Sequence, residues 1–140
     1  MNLPHIEAFA DEIDDKLKGR FERKRRCAYS MPGATIDARN AKFDLLLRFP
    51  IGPNSRFEGE KPLVIARIKF TEQRVGHGTW FLRELVSMAP KYGYESIAIE
   101  AANPNVGIQN FVRKFEFVPV LGVSSDWIVS VNQLARRFSA

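Results

Sequence analysis

The sequence predicts an α/β domain built on a mixed sheet, and three observations carry that prediction. Residues 63–120 run in the order strand, loop, helix, strand, helix, strand. Such an order favours a right-handed crossover and places two strands parallel. A clear strand, Phe43 to Phe49, precedes this block and leads into it through a long loop, which suits an antiparallel pair. Ahead of both, one apolar stripe recurs at helical spacing and needs a sheet to pack on.

That stripe is Ile6, Phe9, Ile13, Leu17 and Phe21, which predicts a helix from about Ile6 to Arg25. Its acids lie early and its bases late, as the helix dipole favours. Met31-Pro32-Gly33 reads as a turn, followed by a short strand around Ala34 to Ala38 and a turn at Arg39-Asn40. Pro50 to Pro62 has no period and reads as a long loop. Leu63 to Thr71 is the best strand. Strict alternation puts Val64, Ala66, Ile68 and Phe70 on one face and Leu63, Ile65, Arg67 and Lys69 on the other. A helix opens at Trp80, and Pro90 and Gly93 end or kink it. Ser96 to Ala102 reads as a buried strand, Val106 to Phe115 as a helix, and Phe117 to Val120 as a strand that Pro119 sends to an edge. A strand at Trp127 to Val131 and a short tail or helix complete the chain.

With 140 residues the chain is expected to form one domain, residues 1–140, with a basic amphipathic helix in residues 1–30 and a ligand-binding core in residues 63–120. No apolar run approaches the ~20 residues of a membrane span. The N-terminus has no secretory pattern, and one cysteine, Cys27, cannot form an internal disulfide. A cytoplasmic location is the expectation. Two histidines and one cysteine do not supply a zinc set.

The charge is localised. The formal net charge is +5, yet Lys16 to Arg26 alone hold seven bases and one acid. That segment suits nucleic acid or an acidic partner, and it equally suits a solvated helix face.

Between the best strand and the following helix stands Gln73-Arg74-Val75-Gly76-His77-Gly78-Thr79. Glycines let a backbone approach an anion closely, and the first amides of a helix point outward without carbonyl partners. Strand, glycine loop and helix N-terminus together are a recipe for holding phosphate, and Arg74 adds a charge.

These residues resemble the acetyl-CoA loop of the GNAT (Gcn5-related N-acetyltransferase) superfamily, which reads Gln/Arg-x-x-Gly-x-Gly/Ala. Here Gln73, Gly76 and Gly78 hold those places. The later pattern of strand, asparagine, helix and apolar strand residue fits Ile97 to Ala102, Asn105, Val106 to Phe115 and Phe117. The resemblance covers about Leu63 to Val120. It implies a GNAT-like, mostly antiparallel sheet with a splayed parallel pair and helices on both faces. It implies that coenzyme A pyrophosphate sits on the amides from Arg74 through Val75, Gly76, His77 and Gly78 to Thr79. The pantetheine arm would pair with backbone around Ile68 and Phe70, with Asn105 nearby. The implied activity is acyl transfer from acetyl-CoA, or another acyl-CoA, to an amine. The alternative is a GNAT-like module that binds coenzyme A, nucleic acid or a protein without catalysis.

Three departures bear on that choice. The tyrosine that protonates the leaving thiolate in many members corresponds to Val112, and valine cannot donate a proton. The glycine usual before the last phenylalanine is Glu116. No Asp or Glu occurs from Leu63 to Thr71, so the general base some members carry is also missing and the catalytic residues stay unassigned. His77 suits a phosphate contact or a packed ring with one hydrogen bond, with packing favoured. Tyr29 is the more interesting tyrosine, and Tyr92 and Tyr94 read as structural. Glu100 reads as a sheet-face charge, with a base as the lesser reading. Arg67 and Lys69 suit an acceptor groove or a snorkelling role. An edge near Pro119 would permit strand-mediated homodimerisation.

Overall fold

A computed structural model describes residues 4–50, 61–73, 75–100, 106–120 and 126–139. The chain opens with α1 (Pro4–Phe21) and continues through β1 (Ala28–Met31), β2 (Thr35–Arg39), β3 (Phe43–Arg48) and β4 (Pro62–Phe70). Then come α2 (His77–Met88), a 3-10 turn (Ala89–Tyr92), β5 (Ser96–Glu100), α3 (Val106–Lys114), β6 (Val118–Pro119), β7 (Asp126–Ser130) and α4 (Val131–Ser139). The seven strands form one sheet in the order β1-β2-β3-β4-β5-β7-β6. Each neighbouring pair is antiparallel except β4 and β5, which are parallel.

The fold class is therefore the expected mixed, mostly antiparallel one, with one parallel pair and four helices among the described residues. All four contribute side chains to one continuous core, from Ile6, Phe9 and Leu17 through Phe81 and Leu85 to Val112 and Leu134. The opposite face carries a small cluster of Val64 and Ala98 with Val120 and Ile128, to which no described helix residue contributes. Handedness explains this. The crossovers β4-α2-β5 and β5-α3-β6 step the same way across the sheet, and right-handed connections in one direction lay their helices on one face.

β4 departs from strict alternation. Leu46 faces Arg67 and Leu47 faces Ile65, so Ala66 is an extra residue in β4. A bulge of this kind shifts the period by one. Leu63 and Ile65 before it, and Ile68 and Phe70 after it, consequently share the helix-covered face with Phe43, Leu45 and Leu47. Arg67 turns to the opposite face, where it holds Asp44 at 2.9 Å and Asp37 at 3.7 Å.

α1 ends at Phe21, not near Arg25. Glu22 adopts a left-handed conformation (φ 53°), and the Arg23 amide donates to Lys18 O at 3.0 Å. That is a Schellman cap, and it turns the chain out of the helix toward β1. The strand β1, absent from the sequence reading, starts two residues after the basic run. Its start is held by α1. Asp14 is 2% exposed and accepts hydrogen bonds from the amides of Cys27 and Ala28, with the Lys18 ammonium 3.2 Å away. The helix also docks by Tyr92 Oη donating to Glu12 (2.8 Å) and by a His5–Tyr94 bond of 2.7 Å. The 50–62 loop reading falls largely on residues 51–60, outside the described residues. Among those described, no helix is long and apolar enough to cross a membrane.

Candidate functional site

Among the described residues the parallel ladder between β4 and β5 runs from Pro62↔Ser96 to Ile65↔Ile99. β4 continues to Phe70, still paired with β3 on its other side. The bulge at Ala66 falls at the first residue past the last β5 pair, and bulges bend a strand away from its neighbour. From Ala66 to Phe70 the β5-side edge of β4 thus offers peptide groups without a described strand partner, and such groups demand hydrogen bonds.

At the end of that edge lies the glycine loop. Gly76 caps α2 with φ 84° and ψ 13°, a left-handed conformation, and makes no side-chain capping bond. The first intrahelical bond is Trp80 N to Gly76 O at 2.9 Å. The amides of His77, Gly78 and Thr79 belong to the first turn, where helix geometry supplies no acceptor. A glycine cap without a side chain leaves that end open to an anion. Gly78 has a different role. It is helical, and a Cβ there would lie 3.5 Å from the Phe111 ring, an ordinary contact.

A cleft of about 760 Å³ joins these parts. Its walls include Ile68, Lys69 and Phe70 of β4, the loop from Gly76 to Thr79, and Ile108, Phe111 and Lys114 of α3. Of the residues expected around the cofactor, Ile68, Phe70, Gln73, Gly76, His77, Gly78 and Thr79 line it together. Val75 is exposed on the same loop. Arg74 and Asn105 lie outside the described residues. Phe111 and Lys114 were not anticipated. The spacing from Gly78 to α3 gives no clue to them, because the contact depends on how α3 crosses the loop.

His77 is packed. Its Nδ1 accepts from Arg20 Nε at 2.9 Å, its Nε2 is 3.4 Å from Glu72, and its ring lies 4.7 Å from Phe21 and 5.3 Å from Phe70 between centroids. With Nδ1 accepting, Nε2 carries the proton toward Glu72. The Arg20 guanidinium also lies 4.7 Å over the Trp80 ring. The end of α1 is thereby tied to the start of α2.

The remaining candidates fall away from the cleft. Val112 is wholly buried in the core. Tyr92 and Tyr94 are engaged with α1, and burial pushes Tyr94 up to about 12. Tyr29 stands on β1, three strands from β4, and donates to Arg26 O at 3.2 Å. Cys27 is buried, and burial followed by the charge of Asp14 raises its pKa, against the smaller effect of Arg23 and Lys18. Glu100 is 3.7 Å from Arg48. Glu116 takes φ 62°, and the Phe117 amide donates to Val112 O at 2.9 Å. The position thus takes a left-handed turn, a conformation that glycine adopts without steric cost.

No protein-family model matches the sequence, and no curated protein does. Solved structures match the fold. The AtaT Y144F mutant toxin, bound to the C-terminus of the antitoxin AtaR and acetyl-CoA, aligns with a TM-score of 0.55 at 14% identity, over 76% of this chain and 72% of that one. The KacTA–DNA complex aligns with a TM-score of 0.55 at 12% identity, over 95% of this chain and 85% of its own. The chain has the GNAT fold. An archaeal Elp3 from Methanocaldococcus infernus shares it at a TM-score of 0.54 and 14% identity, over 74% of this chain and 28% of that one. AtaT has also been solved with acetyl-methionyl-tRNAfMet. Within the GNAT fold, the end of β4 and the glycine-capped α2 bound one cleft.

Proposed function

We propose that the protein is an acyl-CoA-dependent N-acyltransferase that transfers an acetyl group from acetyl-CoA to an amine. The observation that carries this reading is the coincidence of two backbone devices in one cleft. The edge of β4 at Ile68 to Phe70, without a described strand partner on its β5 side, can take the amides of a pantetheine arm as a strand would. The first-turn amides of α2 can take a pyrophosphate. Lys69 and Lys114 add positive charge to the same walls. The structures of AtaT with acetyl-CoA, on the same fold, support this cofactor as substrate.

Acetyl-CoA supplies a thioester carbonyl already activated toward an amine. The chain's contribution is to hold that carbonyl at the end of the described β4–β5 ladder and to orient a neutral amine beside it. Donors on the bulged edge of β4 would stabilise the developing oxyanion. Resemblance to AtaT, solved with acetyl-methionyl-tRNAfMet, favours an amine carried on a larger anionic molecule.

A second reading is a coenzyme A-binding module without catalysis. Val112 in the core, in place of a tyrosine, favours it, as does a cleft whose described carboxylate, Glu72, stands at the loop. Thermal shift with acetyl-CoA tests binding, because a ligand at 100 times its Kd adds about 2.7 kcal/mol to stability. Thiol release with a panel of amines then separates the readings. Release that depends on the amine supports the transferase, and binding without release supports the module.

A further inference from the structure

The basic segment is not one surface. Its helical half is committed: Lys16 holds Glu84 at 2.7 Å, Lys18 holds Asp14, and Arg20 holds His77. Its other half lies in the reversal between α1 and β1, where it meets the β2–β3 turn. Together they enclose a pocket of about 320 Å³ lined by Arg23, Lys24, Arg25, Arg26, Arg39 and Asn40, with Cys27 in its wall. Among the described residues, no carboxylate lines it. Arg26 is anchored to Asp11 at 2.8 Å and to Ala28 O, and Arg39 lies 3.4 Å from Asp44. Lys24 and Arg25 have no ion pair among the described residues, and Arg23 Nε is buried without a described hydrogen-bond acceptor. A fold does not ordinarily gather five cations around a concavity and leave a buried guanidinium donor unmatched, since both cost free energy.

We propose that this pocket is a phosphate-binding site distinct from the cofactor cleft. Converging guanidinium forks suit a tetrahedral anion, whose several oxygens can be held at once, better than a planar carboxylate, which one fork satisfies. Two sources present that chemistry: a free polyphosphate and the backbone of a single-stranded nucleic acid. The placement is functional as well. The turn that supplies Arg39 and Asn40 continues into Ala41 and Lys42, whose carbonyls accept from Thr71 Oγ1 (2.7 Å) and Thr71 N (2.9 Å). Thr71 is the residue from which the cofactor loop departs. A phosphate held here would anchor a larger molecule at the same end of the sheet as the cleft.

The test titrates the full chain with inorganic pyrophosphate by calorimetry and with a short labelled oligouridylate by anisotropy. The pocket variant is Arg25→Gln with Arg39→Gln, both exposed, and the control is Arg136→Gln with Arg137→Gln on α4. The pocket variant should weaken at least one probe by about tenfold and flatten its salt dependence, while the control binds as wild type. Loss for both probes assigns a general phosphate site, and loss for the oligonucleotide alone assigns a nucleic-acid backbone. The proposal is overturned if neither probe binds, if the control loses as much, or if polyglutamate binds in place of both. It is also overturned if the pocket variant loses affinity for acetyl-CoA but not for an analogue lacking the ribose phosphate, because the pocket would then belong to the cofactor. A failure of the cofactor reading, seen with loop variants, would leave the pocket result standing.

Discussion

The cofactor cleft and the α1–β1 reversal are both arranged for anions, but by opposite means. The cleft uses backbone: a left-handed glycine, first-turn amides and a strand edge without a described partner. The reversal uses side chains, brought together from Arg23 to Arg26 and from Arg39 and Asn40. The two kinds of site are fixed in different places. A backbone site depends on one conformation at one residue, so one substitution should abolish it. A side-chain site depends on the docking of α1, and it should weaken gradually as charges are removed.

The largest expected effect comes from Gly76→Asp. It forces a non-glycine residue to φ 84° and puts a negative charge beneath the expected pyrophosphate. Calorimetry should show acetyl-CoA affinity falling by two orders of magnitude or more, roughly 3 kcal/mol by the affinity scale. Gly78→Ala, with room for its Cβ, should bind as wild type and gain up to about 1 kcal/mol in helix stability.

Breaking the other region comes next. Asp14→Ala removes a buried acceptor of two amides and should cost about 2–3 kcal/mol in denaturant unfolding, with acetyl-CoA affinity of the folded fraction unchanged. The same residue gives the acid response. Burial alone would raise its pKa, but the amides of Cys27 and Ala28 and the Lys18 ammonium together hold it below the ordinary value. Its stabilisation is therefore present above the unfolded value near about 3.9 and lost as pH falls through the folded one. Tyr94 works in the other direction. Burial raises it to about 12, so its contribution is full below the unfolded value of about 10 and is lost as pH rises from there through about 12. Melting temperatures across pH should fall at both ends, and Asp14→Asn should flatten the acid side.

How these regions could be read from sequence follows the same division. Gly76 announces itself because a backbone conformation demands a residue type, and the loop boundaries hold to within a residue or two. The bulge at Ala66 is not legible, since Leu63 to Ala66 are all apolar and alternation begins only at Arg67, so the extra residue is defined by the partner strand β3. Asp14 is one of the early acids that suit the helix dipole, and its spacing from Ala10 and Leu17 also puts it on the apolar stripe, a signal of its burial. The pocket at Arg39 was beyond any local reading, because its two halves meet only when β1 pairs with β2.

Smaller effects sharpen the link between the regions. Arg20→Ala removes the bond to His77 and the cation over Trp80, and should cost about 1 kcal/mol with a several-fold loss of acetyl-CoA affinity. Glu22→Gly and Glu116→Gly should each add about 1 kcal/mol in thermal unfolding by relieving a left-handed glutamate.

The most direct measurement is amide hydrogen exchange with and without acetyl-CoA. Binding in the cleft predicts new protection at Ile68 to Phe70 and at His77 to Thr79, with β1, Ala28 to Met31, unchanged. Protection confined to other segments, or none at saturating acetyl-CoA, would contradict it.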